Sequence, residues 1–176
     1  MRILALDLGT HTGWAHFDGV EIHAATLTLA TDRDLKLAKR LRMDRRLDPR
    51  AIKFALFLQE SLRAGRIDWL VFEDVKFAKS RAQAHLWGTF RGILWATAAL
   101  KGIDIECVYT GKLKKFATGS GSADKDQMAA ALVRKYPGRF QLEKGLVRDS
   151  KHGTLLDDNA VDALHLLHWA VLNLKT

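Results

Sequence analysis

The sequence predicts an α/β layered domain with a mixed five-stranded sheet, and three observations predict it. Residues 3–8 form a short, mainly apolar run that holds Asp7 near its end and is closed by Gly9. Two more strand-like runs follow at 14–17 and 20–29, and the hairpin signal Asp18-Gly19 joins them. Beyond them, segments of helical periodicity alternate with apolar runs. This order indicates a three-strand meander followed by crossover connections.

The segment after the meander is basic. Residues 31–50 hold eight basic and four acidic side chains, so this stretch carries a net charge of +4. Pro49 is typical of the first turn of a helix. The inner face of that helix is expected to carry Ile52, Ala55, Leu56 and Leu62.

The second half of the chain continues the alternation. The apolar run 69–72 predicts a strand buried on both faces, and 103–109 predicts the last strand of the sheet. Between them, 81–100 predicts a long helix with a ridge of small residues at Gly88, Gly92 and Ala96. Ser122 is the expected N-cap of a helix over 125–136. The remaining expectations are a helix over 112–117, a Gly-rich link over 118–122, a basic loop over 137–153 and a final helix over 157–172.

Length and composition restrict the class of protein. The 176 residues suit one domain spanning 1–176, and 48% hydrophobic content favours a packed core over disorder. No apolar run approaches the roughly 18 residues of a membrane span. The single Cys107 cannot form an internal disulfide, which favours a reducing, cytoplasmic location. A net charge of +8 favours an anionic partner, most often nucleic acid, although a basic soluble protein without one has the same charge.

Four acidic residues occupy positions at which ligand-binding or catalytic sites commonly form. Asp7 and Glu73 end two predicted strands, and ligand sites of open α/β sheets form beside the carboxyl ends of strands. Asp158 and Asp162 are four residues apart, so they share one face of the final helix. If that helix packs beside the first strand, the four carboxylates converge.

Crowded carboxylates repel one another, and a divalent cation resolves the repulsion. Oxygen ligands suit Mg²⁺, and two such ions about 4 Å apart support phosphodiester hydrolysis. The sequence shows no His/Cys cluster that indicates zinc. Each acid also has a simpler interpretation, because Asp7 could form a turn, and Asp157 and Asp158 could cap the helix. Capping does not explain Asp162, and Glu73 after four apolar residues is hard to explain as a structural residue.

At this point the sequence resembles the RuvC family of Holliday-junction resolvases, including its phage-type members. The resemblance covers nearly the whole chain and rests on several motifs in order, of which residues 114–127 (KKFATGSGSADKDQ) are the most specific. The other motifs are 3–10 (ILALDLGT) with 12–15 (TGWA), 72–75 (FEDV) with 77–80 (FAKS), 88–92 (GTFRG) and 158–164 (DNAVDAL).

The resemblance implies an RNase H-like fold, a homodimer, two Mg²⁺ ions per active site and paired, symmetric nicking of branched DNA, with Mn²⁺ able to substitute. It implies that Asp7 bridges the ions and that Glu73 and Asp162 are further ligands. Family members often carry the preceding ligand three residues before the last acid, where this chain has Asn159. Asp158, four residues before it, is therefore the expected fourth ligand. A bacterial or phage-encoded protein acting in the host cytoplasm is also implied.

The same comparison suggests DNA contacts. Lys125 and Lys114 match family lysines near the scissile phosphate, and Lys115 adjoins them. Phe77 stands one position later than the family's aromatic and is expected to stack at the branch point, with Lys79 beside it. The basic segment either contacts the junction arms or is a solvated face. Its candidates are Arg33, Lys36, Lys39, Arg40, Arg42, Arg45, Arg46 and Arg50.

The leading functional hypothesis is a metal-dependent endonuclease that resolves four-way junctions and leaves 5′-phosphate and 3′-hydroxyl ends. Three alternatives remain: a catalytically silent junction-binding protein, a related nuclease acting on another branched or hybrid substrate, and a kinase or ATPase of the actin type. The last is disfavoured because 176 residues are too few for its duplicated fold.

Overall fold

The computed structural model describes residues 1–40, 48–74 and 80–174. Its main element is a mixed five-stranded sheet in the order β3-β2-β1-β4-β5. The three N-terminal strands pair antiparallel, and β1, β4 and β5 run parallel. The predicted meander followed by crossovers is therefore confirmed. The strands are β1 (Ile3–Asp7), β2 (His11–Phe17), β3 (Ile22–Thr28), β4 (Trp69–Asp74) and β5 (Asp104–Tyr109).

Helices cover both faces of this sheet, and alternate residues of β1 separate the two cores. Leu4 and Leu6 pack against one helical layer, while Ile3 and Ala5 pack against the other. The first layer holds α2 (Pro49–Ala64) and α3 (Arg81–Lys101), and the second holds α4 (Thr110–Thr118), α5 (Lys125–Lys135) and α6 (Asp158–Asn173).

The basic segment is partly helical, which the sequence analysis did not predict. Helix α1 (Asp32–Arg40) has acids in its first turn and Lys39 and Arg40 in its last turn, an arrangement that suits the helix dipole. Thr31 and Asp34 exchange hydrogen bonds across its start. The cations of α1 all lie on its exposed surface.

The prediction of a loop over 137–153 is wrong. This region instead forms most of a second, antiparallel sheet, which consists of β6 (Phe140–Glu143), β7 (Leu146–Asp149) and β8 (Thr154–Leu156). Phe140, Val147 and Leu156 of these strands are buried in the same core as α5 and α6. The strands are only three or four residues long, which is why their alternation was too brief to recognise.

Two other helix details differ from expectation. Phe54 and Leu58 form the buried face of α2, and the predicted Leu62 packs beside them. The predicted inner face was wrong for Ala55 and Leu56, which are exposed, and Ile52 is half-buried. In α3 the buried residues include Leu86, Phe90 and Leu94, and the small-residue ridge faces away from this core. A side chain added at Gly88 or Gly92 would meet nothing within 4 Å. Among the described helices, none is long and apolar enough to cross a membrane.

Candidate active site

Asp7 and Glu73 lie side by side at the carboxyl ends of two parallel strands. The register of β1 with β4 pairs Leu6 with Phe72, and the two acids are the next residues along their strands. Alternation places Asp7 on the face of Ala5 and Glu73 on the face of Val71, and both of these apolar residues belong to the core beneath α6. Both carboxylates therefore point towards the layer that contains α6.

Helix α6 brings the other two acids to this layer. Its N-cap is Asp157, which accepts a hydrogen bond from the Ala160 amide at 3.1 Å and another from the Thr26 hydroxyl. Asp158 therefore stands in the first turn and Asp162 one turn later, and the helix packs on β1 and β2. Asn159 instead directs its side-chain amide towards Asp157, at 3.4 Å.

Burial and mutual repulsion perturb the acids strongly. Burial, followed by the negative charge of Glu73, raises the pKa of Asp7 well above its usual value, and Asp162, Asp158 and Asp157 raise it further. Burial and the charge of Glu73 raise the pKa of Asp162 to about 7. Burial also raises the pKa of Glu73. These shifts place the four candidate acids in one electrostatically coupled cluster, as the spacing of the motifs predicted.

The donor set of this cluster fits hard divalent cations. Its members offer only carboxylate oxygens, and the raised pKa values of Asp7, Glu73 and Asp162 are consistent with buried negative charge that a cation would neutralise. Among the described residues, no trio of these acids brings one oxygen each to within 4.8 Å of one another.

Two lysines border the cluster. Lys125, the first residue of α5, forms an ion pair with Asp158, and this contact raises the pKa of the lysine. Lys114 of α4 donates to the Ala123 carbonyl at 2.6 Å, and its charge lowers the pKa of both Glu73 and Asp162. A cavity of about 140 Å³ lies beside Lys125, Asp158 and Asp162. Lys115 is exposed on α4.

The link between α4 and α5 is held by its own polar groups. Gly119 ends α4 in a left-handed conformation with φ 88°, and the Thr118 hydroxyl accepts from the Ser120 amide at 3.1 Å. The predicted N-cap Ser122 is wrong, because Asp124 caps α5 and forms a capping box with Gln127. The sequence does contain this signal, an acid followed three residues later by Gln.

The remaining DNA-contact candidates have different outcomes. Arg33, Lys36, Lys39 and Arg40 are exposed along α1. Arg50 instead forms an ion pair with Asp48 at 2.6 Å and reaches Thr10 at 3.4 Å, so it fixes the start of α2. The predictions for Arg42, Arg45, Arg46, Phe77 and Lys79 lie outside the described residues.

Three residues that the sequence analysis missed support the cluster. The Thr26 hydroxyl holds the N-cap of α6, the buried Thr110 hydroxyl lowers the pKa of the adjacent Glu73, and Gly13 lies against the first turn of α6. Gly13 entered the sequence analysis only as part of the 12–15 motif. Neither threonine carries a recognisable local signal, since each acts on a residue distant in the sequence. His165 is buried and contacts the Met128 carbonyl at 2.9 Å, so it packs α6 against α5 and is not part of the acid cluster.

Comparison with known proteins gives one family match. Residues 20–136 match the family model described as crossover junction endodeoxyribonuclease RuvC. That span covers well over half of the chain. A search of the curated protein sequences finds no match.

The fold is similar to several solved structures. Thermus thermophilus RuvC in complex with a Holliday junction substrate matches with a TM-score of 0.63 and 18% identity, covering 94% of this chain and 90% of that one. Another Thermus thermophilus RuvC structure matches with a TM-score of 0.60 and 20% identity over the same shares. The yeast mitochondrial Holliday junction resolvase Ydc2 matches with a TM-score of 0.53 and 11% identity, covering 94% and 75%. These similarities confirm the fold expected from the motifs.

Proposed function

Because the chain belongs to the RuvC family of crossover junction endodeoxyribonucleases, which are metal-dependent, we propose that its four coupled acids form the catalytic centre of a Holliday junction resolvase. The observation that carries the proposal is the convergence of Asp7 and Glu73, at neighbouring strand ends, with Asp158 and Asp162 of α6, which packs on the same strands. The charges of Glu73, Asp162 and Asp158 each raise the pKa of the buried Asp7. Acids of three separate elements gain nothing structurally from sharing a buried pocket. A cation bound among these acids attracts each carboxylate and so offsets their mutual repulsion.

Asp7, Glu73, Asp158 and Asp162 would hold two Mg²⁺ ions, with Mn²⁺ as a substitute. When bound, such ions supply a nucleophilic hydroxide and stabilise the leaving oxygen of a phosphodiester. Asp158 is the fourth ligand in this proposal, because it faces Lys125 and Asp7, whereas the Asn159 amide is directed at Asp157.

The surrounding residues would position the DNA strand. Lys125 offers its ammonium at the mouth of the cluster, where the scissile phosphate carries negative charge. Lys114 bonds the Ala123 carbonyl and so fixes the end of the link between α4 and α5. Its positive charge lowers the pKa of Glu73 and Asp162, which favours their ionised, ligating forms. Water adds to phosphorus as the bond to the 3′ oxygen breaks, so each cut leaves a 5′-phosphate and a 3′-hydroxyl.

Selectivity for four-way junctions would come from two copies acting together. Resolution requires one nick in each of two strands, and a two-fold symmetric dimer presents two acid clusters to a two-fold symmetric junction. The exposed ridge of α3 at Gly88, Gly92 and Ala96, next to the half-exposed Trp95, supports this helix as the dimer face. Sedimentation analysis should give a dimer that Trp95→Glu converts to monomer. The enzyme would act in the cytoplasm of a bacterial or phage-infected host.

Cleavage assays test the proposal directly. With Mg²⁺, the protein should cut a four-way junction in paired strands and leave linear duplex intact, and three-way junctions, flaps and RNA–DNA hybrids should be poorer substrates. Asp7→Asn should abolish cutting while junction binding is kept or strengthened, because one negative charge near phosphate is removed. Binding without cleavage by the wild-type protein at every metal tried would instead identify a silent junction-binding protein. Preferential cutting of a hybrid would reassign the substrate.

A further inference from the structure

A second group of metal-ligating side chains lies away from the acid cluster. Glu21 and His23 come from the hairpin that joins β2 to β3, and His152 comes from the turn between β7 and β8. One ligand atom from each of the three lies within 4.8 Å of the other two. Among the residues that the structure describes, this is the group of His, Cys, Asp and Glu that meets this spacing.

The orientation of the His152 ring is set by a buried partner. Its Nδ1 lies 2.9 Å from Oδ2 of Asp149, a residue that is only 3% exposed. Burial alone would raise the pKa of Asp149, yet hydrogen bonds from His152 and Arg139 outweigh it and hold this pKa below its usual value. Asp149 is therefore an ionised acceptor and Nδ1 of His152 donates to it. A carboxylate that orients a histidine in this way is typical of the second shell of metal sites.

The other ring nitrogen of His152 has no hydrogen-bond partner. Nε2 is buried and faces Oε2 of Glu21 at 4.0 Å, and Nε2 of His23 lies 3.8 Å from the same oxygen. Both separations are too long for hydrogen bonds. Ligand atoms at about 2.1 Å from a tetrahedral zinc ion lie roughly 3.4 Å apart. The two imidazole nitrogens therefore need to approach Oε2 of Glu21 by about half an ångström, and all three ligand atoms already lie within 4.8 Å of one another.

Glu21 is held in a conformation that leaves one oxygen available. Lys151 donates to Oε1 at 2.8 Å, and this contact lowers the pKa of Glu21. Oε2 remains directed at the two imidazoles, whose ring centroids are 4.8 Å apart. The hairpin and the turn are therefore already aligned without an ion.

We propose that Glu21, His23 and His152 bind a zinc-class transition-metal ion that ties the β2–β3 hairpin to the small second sheet. Two imidazole nitrogens and one carboxylate oxygen form a donor set that zinc accepts, with the fourth position open to water. The oxygen-only cluster around Asp7 suits Mg²⁺ instead, so the two sites differ in chemistry. The sequence showed no such cluster because His23 and His152 are 129 positions apart.

The binding test uses the whole protein and Co²⁺ as a spectroscopic probe for Zn²⁺. In excess Mg²⁺, which occupies the oxygen-only cluster, wild type should take up one Co²⁺ with the visible absorption of a nitrogen-ligated four- or five-coordinate ion, and one equivalent of Zn²⁺ should displace it. His152→Gln and His23→Gln should each weaken uptake at least tenfold. His85→Gln, on exposed α3, is the matched control and should leave uptake unchanged.

Two further variants and a stability measurement separate this site from the acid cluster. Asp7→Asn should preserve the cobalt spectrum, because it alters only the acid cluster. Glu21→Gln keeps an acceptor for Lys151 while removing the ligand charge, so it should weaken uptake without loss of the metal-free fold, as monitored by circular dichroism. Zn²⁺ should raise the Tm of wild type but not that of His152→Gln. Absence of a nitrogen-ligated spectrum in wild type, or a spectrum lost in Asp7→Asn and kept in both histidine variants, overturns the proposal.

Discussion

A Cβ atom on Gly13 would lie 1.9 Å from the carbonyl oxygen of Asn159. Gly13 pairs with Asp7 across β1 and β2, and Asn159 belongs to the first turn of α6. The missing side chain therefore lets α6 approach the strand that carries Asp7. This close approach is what brings Asp158 and Asp162 into the same cluster as the acids of the sheet.

Gly13→Ala should damage both stability and catalysis. The added methyl meets backbone atoms that cannot rotate away, so α6 must shift, and overpacking of this kind costs about 1–3 kcal/mol of unfolding free energy. Urea unfolding measures the loss of stability. The rate of junction cleavage should fall at least as far as it does when one acid of the cluster is substituted. Gly65→Ala is the control, since its Cβ would meet nothing within 4 Å and its backbone is extended. Equal stability and activity of the two variants would remove the role assigned to Gly13.

The stability of the metal-free protein should fall as pH rises from about 4 to about 7. The pKa of Asp162 is about 7 in the folded state against 3.8 as the ordinary value, so the folded state binds more protons between these two pH values. Complete ionisation above pH 7 then costs up to about 4 kcal/mol, at 1.36 kcal/mol for each pKa unit. Asp162→Asn should flatten the decline measured by urea unfolding between pH 5 and about 8 in EDTA.

Mg²⁺ should oppose the same decline. Added at about pH 8, it neutralises the ionised cluster and should raise the Tm of wild type more than that of Asp162→Asn. A metal-free stability that is independent of pH over this window, with no response to Mg²⁺, would contradict the assignment of the cluster as a metal site.

Lys125→Ala should slow cleavage more than it weakens junction binding. Its ammonium lies beside Asp158, where the scissile phosphate is expected, and charge placed at that point stabilises the transition state. Single-turnover cleavage by Lys125→Ala measures the first effect. Equilibrium junction binding by the double variant Asp7→Asn/Lys125→Ala, which does not cut, measures the second. Lys101→Ala, at the exposed end of α3, removes an equal charge away from the cluster. Loss of affinity with an unchanged cleavage rate would make Lys125 a simple phosphate contact.

Helix α1 should contribute to DNA affinity through charge alone. If Lys36 and Lys39 contact phosphates, each alanine substitution should reduce the slope of log affinity against log salt by about 0.9. Lys36→Gln tests the same loss with a longer polar side chain. Salt-dependent junction binding measured by fluorescence anisotropy checks this. If neither Lys36→Ala nor Lys39→Ala alters the slope of log affinity against log salt, α1 is a solvated face.

Two errors of the sequence analysis, the inner face of α2 and the missed second sheet, have a physical cause. Helix α2 is apolar on several sides, with Ile52, Phe54, Leu56 and Leu58 close together, so its periodicity did not identify which face meets the sheet. Only the contact with α3 decided that Phe54, packed on Phe90 at 4.8 Å between ring centroids, faces inwards. The strands of the second sheet are too short for a periodic signal and exist because they pack under α5 and α6.

Local chemistry was enough to place Asp7 and Glu73 at strand ends and Asp158 and Asp162 on one helix face. Apolar runs, turn residues and an i,i+4 spacing are properties of short segments, so the sequence reports them directly. The depth of burial that raises the pKa of Asp162 to about 7, the seat of α6 against Gly13 and the meeting of His23 with His152 emerged only from the folded chain. Each of these depends on the distance between segments far apart in sequence, and packing of the whole core sets that distance.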